Sequence, residues 1–142
     1  MSVTASYGWP KPEGREAQLE LLLQEILDDI DADLKAAAGA VAWIAAPAFS
    51  NSWVNFGGAY QTAQYRKVGD RVELRGTVKN GTALTTIFTL PSGFRPPASQ
   101  IFPCVSSALF GAITITSAGA VTQSVGSNTS VSLDGIAFSV TT

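Results

Sequence analysis

The 142-residue chain has no histidine, one cysteine and one methionine, and only 14% of its residues are charged. Without histidine it cannot build a Ser-His-Asp or Cys-His nucleophile, and most catalytic zinc sites are excluded as well. A single cysteine, Cys104, permits no intrachain disulfide. Set in Ile101-Phe102-Pro103-Cys104-Val105, it reads as a small apolar residue. The N-terminus lacks the basic-then-apolar layout of a signal peptide, so secretory export is not expected. The longest weakly polar run, Ala36 to Phe49, is mostly alanine and glycine and is broken by Pro47. It falls short of the ~20 apolar residues of a membrane span, and no membrane insertion is expected. No G-x-x-x-x-G-K-[ST] or G-x-G-x-x-G motif occurs, so a nucleotide site has no support. No cofactor and no metal are expected.

Charge, though scarce, is segregated. Eight of the eleven acids fall in residues 1–35, whereas the remainder carries Arg66, Lys67, Arg71, Arg75, Lys79 and Arg95 against Asp70, Glu73 and Asp134. Six cations against three acids, spread through strand-like sequence, are far from the clustered footprint of a nucleic-acid binder, and no nucleic acid is expected as a partner. A mean hydropathy of +0.20 exceeds what a small monomer needs, which points to apolar surface shared between subunits.

Four segments follow along the chain. Residues 1–14 contain Tyr7-Gly8-Trp9-Pro10-Lys11-Pro12-Glu13-Gly14, whose prolines and glycines favour an extended strap, with Tyr7 and Trp9 as anchoring aromatics. Residues 15–38 turn helical: Leu19, Leu23, Ile26 and Ile30 recur at spacings of four, three and four, widened by Leu22, Leu27 and Leu34. An isolated helix this short is marginal in water, so the stripe needs partners. Isoleucine at both seam types favours a homotrimeric coiled coil, with Asp33 marking where the seam breaks or shifts. The acids between Glu25 and Asp33 lack the glycine turn and terminal acid of a calcium loop and read as a solvated helix face. Residues 39–52 form a connector, and residues 53–142 a head.

In the head the period changes to two, and turn residues recur: Gly69-Asp70, Asn80-Gly81, Ser92-Gly93, Ser117-Ala118-Gly119, Gly126-Ser127-Asn128 and Asp134-Gly135. Strands are expected near 62–68, 71–79, 84–90, 101–106, 111–116, 120–124, 129–133 and 135–141. That count makes the chain mainly β, with a C-terminal antiparallel β-sandwich, jelly-roll-like, behind a short N-terminal helix. Between Leu90 and Pro97 a proline-bounded loop places Phe94 as a plug and holds Arg95 outward.

Two carboxylates suffice for a glycosidase, and the head has Asp70, Glu73 and Asp134. Asp70 and Asp134 each adjoin a glycine in a turn dipeptide, which accounts for both structurally, and no enzyme is expected. The aromatics Trp53, Phe56, Tyr60 and Tyr65 are dense enough for a sugar-stacking surface, although each is more simply core or interface.

The order of motifs in the head resembles the head domains of receptor-binding and tail-fibre (minor tail) proteins of long-tailed bacteriophages. The likeness rests on Trp53-Val54-Asn55-Phe56-Gly57, Tyr65-Arg66-Lys67, Arg75-Gly76, Leu90-Pro91-Ser92-Gly93-Phe94-Arg95-Pro96 and Leu133-Asp134-Gly135-Ile136-Ala137-Phe138. It covers roughly residues 51–142 and lies in the order of the motifs. The start Tyr7-Gly8-Trp9-Pro10, followed by an acidic helix, also looks like short minor tail proteins of actinobacterial phages. The resemblance implies a homotrimer on the virion, anchored to other phage structural proteins through its N-terminus and attaching to a host cell-wall polysaccharide. Candidate glycan-binding residues are then Trp53, Tyr60, Tyr65, Arg66, Arg95 and Asp134, with the trimer seam at Leu19, Leu23, Ile26 and Ile30. Because the connector is short where family members often have a longer shaft, a purely structural head fibre or capsid decoration protein is the alternative.

Overall fold

In a computed structural model of the chain, residues 13–39 and 41–141 are described. They form a helix and a compact β unit beginning at Val41. The strap residues Tyr7 and Trp9 lie outside the described residues.

Helix α1 spans Glu13–Ala38, two residues earlier than the periodicity predicts. Leucine, glutamate, glutamine and alanine dominate it, all good helix formers, and it stops at Gly39. Leu19, Leu23, Ile26 and Ile30 are 49–60% exposed, so within the single chain the seam is uncovered. The flanking Leu22, Leu27 and Leu34 are exposed too, as is Leu21 on another face.

The β unit comprises β1 (Ile44–Ala45), β2 (Val54–Asn55), β3 (Gln64–Val68), β4 (Arg71–Arg75), β5 (Thr77–Lys79), β6 (Thr86–Thr89), β7 (Gln100–Ser106), β8 (Leu109–Ile115), β9 (Ala120–Val125), β10 (Val131–Ser132) and β11 (Ala137–Ser139). They make two antiparallel sheets, ordered β1-β3-β4-β11 and β2-β5-β10-β7-β8-β9-β6. Leu74, Val78, Ile87, Phe88, Ile113, Val131 and Leu133 fill the space between them with essentially no exposure. This is the mainly β architecture that the alternation implies, with the N-terminal helix ahead of it.

The strand expected over 71–79 is in fact two. Gly76 separates β4 from β5 at φ 114, and a Cβ there would meet the Thr62 carbonyl and the Ala63 backbone. The chain therefore crosses at this point from the small sheet to the large one, a corner that only glycine fits. The expected connector also divides differently. Its Ile44 and Ala45 form β1 and pair with Tyr65 and Gln64 of β3, so the head begins upstream of Trp53.

Trp53 is buried at the centre of the core. Its indole N–H donates to Thr85 Oγ1 at 3.1 Å. Gly81 lies flat against the ring, where a Cβ would overlap the indole. Asn80-Gly81 is thus a close approach and not a hairpin turn. Phe94 packs edge-on to Tyr65 with ring centroids 5.0 Å apart, closing one end of the sandwich as the sequence suggests.

Candidate functional site

The six candidate ligand residues separate into three groups. Trp53 and Tyr65 are 1% and 7% exposed, which leaves no face for a sugar, and both are corrected to core residues. Hydrophobic packing supplies the reason: Tyr65 lies opposite Leu74 in the β3–β4 pairing and faces the interior with it, and Trp53, just ahead of β2, belongs to the same core cluster. Arg95, expected to point outward, instead turns back, its Nε donating to the Leu90 carbonyl at 2.8 Å and closing its own loop. Pro96 beside it is buried.

Arg66 is drawn into a clamp on the outer face of the small sheet. It lies opposite Glu73 in the β3–β4 pairing, and its Nε donates to Glu73 Oε2 at 2.8 Å. Its Nη1 donates to the Val41 carbonyl at 3.2 Å. The guanidiniums of Arg66 and Arg75 both stack on Trp43, 4.3 and 4.2 Å from the ring centroid. Arg75 is itself fixed by two N–H donations to Gln64 Oε1, at 2.8 and 2.6 Å. Trp43 belongs to no motif that singles it out in the sequence. The signal available is a short apolar run, Val41-Ala42-Trp43-Ile44, between Gly39 and Pro47. Beside the clamp lies a depression of about 300 Å³ bordered by Trp43, Arg71, Glu73, Arg75 and Gly135–Ala137.

Tyr60 and Asp134 come together. They border one shallow depression of about 330 Å³ with Thr77, Val105, Ala108, Ser130 and Ser132. The Tyr60 ring is 58% exposed and is steadied by edge-on contact with Phe56 at 4.7 Å, over which Lys79 sits at 4.8 Å. One oxygen of Asp134 accepts the Gly76 N–H at 2.7 Å and the other accepts the Ser132 hydroxyl at 3.3 Å. An open aromatic face, a carboxylate and several hydroxyls form a set that can stack on a sugar ring and hydrogen-bond its hydroxyls. Val105, Ala108, Ser130 and Ser132 carry no sequence motif. They reach the depression because the β7–β8 hairpin turns on Ser107-Ala108, both at positive φ, and β10 lies between β5 and β7.

The remaining head carboxylates are engaged as well. Asp70 Oδ2 accepts hydroxyls from Thr141 and Ser139, each at 3.1 Å, which hold its carboxyl below the usual aspartate range. Cys104 is half-buried, and desolvation pushes its thiol up. Among the described residues no group of three or more acids or cysteines is placed to hold a metal, and no helix is long and apolar enough to cross a membrane.

A two-sheet β head preceded by one helix is the architecture so defined. The chain shares it with the crystal structure of the receptor binding protein of Listeria phage PSA, with a TM-score of 0.70 and 22% identity, over 100% of this chain and 89% of that one. No protein-family model matches the chain, and no curated protein matches it in sequence. At this identity the likeness establishes a shared fold.

Proposed function

We propose that the chain is a phage virion fibre protein, a homotrimer whose head attaches to a host surface saccharide without cutting it. The observation that carries this reading is the fold likeness, which extends over the whole chain to a phage receptor binding protein. The uncovered α1 stripe supports the trimer, since three helices packed through Leu19, Leu23, Ile26 and Ile30 would bury it, and isoleucine at both seam positions favours three strands over two. Tyr7 and Trp9 in the N-terminal segment are the proposed contacts to other virion proteins. The depression at Tyr60 and Asp134 is the proposed glycan subsite, in which Tyr60 stacks and Asp134, Ser130 and Ser132 take hydroxyls. A binding role also suits the head carboxylates: Asp70, Glu73 and Asp134 each hold a structural partner, which leaves no free acid and base pair.

Binding of the purified protein to a panel of host-wall polysaccharides tests the reading. Retention on at least one polymer, lost in Tyr60→Ala, is expected, with no release of reducing ends. Absence of binding to every wall preparation from a susceptible host would overturn it. A head fibre or capsid decoration protein is the second reading, favoured by the direct passage from α1, which ends at Ala38, to a β unit that starts at Val41 with no shaft between.

A further inference from the structure

Asp134 is the only formally charged residue lining the depression that it shares with Tyr60. Val105, Ala108, Ser130 and Ser132 on its walls come from a neutral stretch, since no charged residue occurs between Pro96 and Leu133. The other head acids each have a cation at hand: Glu73 pairs with Arg66 and, at 3.9 Å, with Arg71, and Arg71 also acts on Asp70. Asp134 has none among the described residues; its oxygens accept the uncharged Gly76 N–H and Ser132 hydroxyl. Tyr60 shows the complementary lack. Elsewhere in the head, cations rest on aromatic faces: Arg66 and Arg75 on Trp43, Lys67 on Phe94 at 5.2 Å, and Lys79 on Phe56. The Tyr60 ring, although exposed, carries no cation among the described residues.

We infer that this depression takes the ammonium group of an amino sugar, with the free amine held between the Asp134 carboxylate and the Tyr60 ring. The inference rests on the saccharide reading of the same site and names its ligand class. A carboxylate attracts an ammonium through its charge, and an aromatic ring does so through the negative potential of its face. Both attractions strengthen beside the apolar Val105 and Ala108, which keep water from part of the wall. Lys79 does not fill this role, because its ammonium sits 4.8 Å from the Phe56 centroid and does not line the depression. Hydroxyls neighbouring the amine on the sugar can bond to Ser130 and Ser132. At about 330 Å³ the depression is at the small end of ligand sites, which suits one sugar ring. A phosphate or carboxylate on that ring would be repelled by Asp134, and an N-acetyl group would remove the charge that Asp134 and Tyr60 both attract.

Capping the amines of the host-wall polysaccharide tests this. Treatment with acetic anhydride in water acetylates free amines and leaves hydroxyls intact, and the full chain is titrated with treated and untreated polymer. Capping should weaken binding about tenfold, the combined worth of one exposed ion pair and one exposed cation–π contact. Asp134→Asn should bind the untreated polymer about fivefold more weakly and lose most of its sensitivity to capping. Tyr60→Leu, which leaves the Gly76 corner untouched, should lose about threefold of that sensitivity. Unchanged binding after capping would overturn this inference alone. So would a loss on capping of equal size in the unaltered chain and in both variants, which would place the amine elsewhere on the chain. Absence of binding to every untreated polymer would overturn the inference together with the saccharide reading.

Discussion

Replacing Asp134 with alanine should cost about 2 kcal/mol of folding stability, whereas asparagine at the same position should cost less than about 1 kcal/mol. The difference comes from the corner at Gly76. That residue is buried, and its N–H has Asp134 Oδ1 at 2.7 Å as acceptor. Alanine removes the acceptor and leaves a desolvated donor, a loss of ~1–3 kcal/mol. Asparagine keeps a carbonyl oxygen in place and forfeits only the charge assistance. Nothing else in the turn should change much. Gly135 retains its φ of 82, and Ile136 N–H still donates to the Leu133 carbonyl at 3.3 Å. Urea unfolding followed by tryptophan fluorescence measures both variants, with unchanged m values expected. Equal effects of the two substitutions, or a cost below about 0.5 kcal/mol for alanine, would refute the anchoring role, since surface changes without such a partner fall in that range. The pair also separates two duties of one residue. A folded Asp134→Asn protein that has lost glycan binding isolates the ligand contact, whereas Asp134→Ala mixes it with damage to the corner.

Three further outcomes follow from the same structure. Trp43→Ala should destabilise the β unit by ~3–4 kcal/mol, combining about 100 Å² of lost apolar contact with two exposed cation–π stacks, and chemical denaturation reads the loss directly. Ile26→Asp with Ile30→Asp should reduce the sedimenting mass to that of one chain, because charges placed in the seam would have to be desolvated together; an unchanged mass would argue against a seam there. Asp70 contributes stability that is complete above the ordinary aspartate range and is lost as pH falls through its lowered folded value. Between about pH 4 and pH 2 the urea midpoint of the unaltered chain should therefore fall further than that of Asp70→Asn.

The helix and most strands were legible because their signals are periodic. The Leu19, Leu23, Ile26, Ile30 spacing locates α1 to within two residues at its start, and alternation with glycine turns locates β3, β7, β8 and β9 closely. What escaped is set by tertiary contact. Gly76 sits in an unbroken alternating run, and only the crowding by Thr62 and Ala63 makes it a corner. Strands β1 and β2 have two residues each, too short to show a period. The Ser107-Ala108 turn uses positive φ without glycine or asparagine, so composition gives no warning of it. For the site, aromatic density identified a cluster but could not say which ring faces water. Trp53 and Tyr65 went to the core, Tyr60 stayed outside, and Trp43, set apart from the cluster, became the centre of a cationic clamp. A sequence shows that a strand has two faces, and the direction of each face is decided only when the second sheet closes over it.

Immunogold electron microscopy of intact phage particles, with antibody raised against the β unit, tests the central claim most directly. The account predicts label at the distal tail tip, where a protein that attaches to a host saccharide must sit. Label confined to the capsid or collar would contradict it and leave the chain a structural component of the particle.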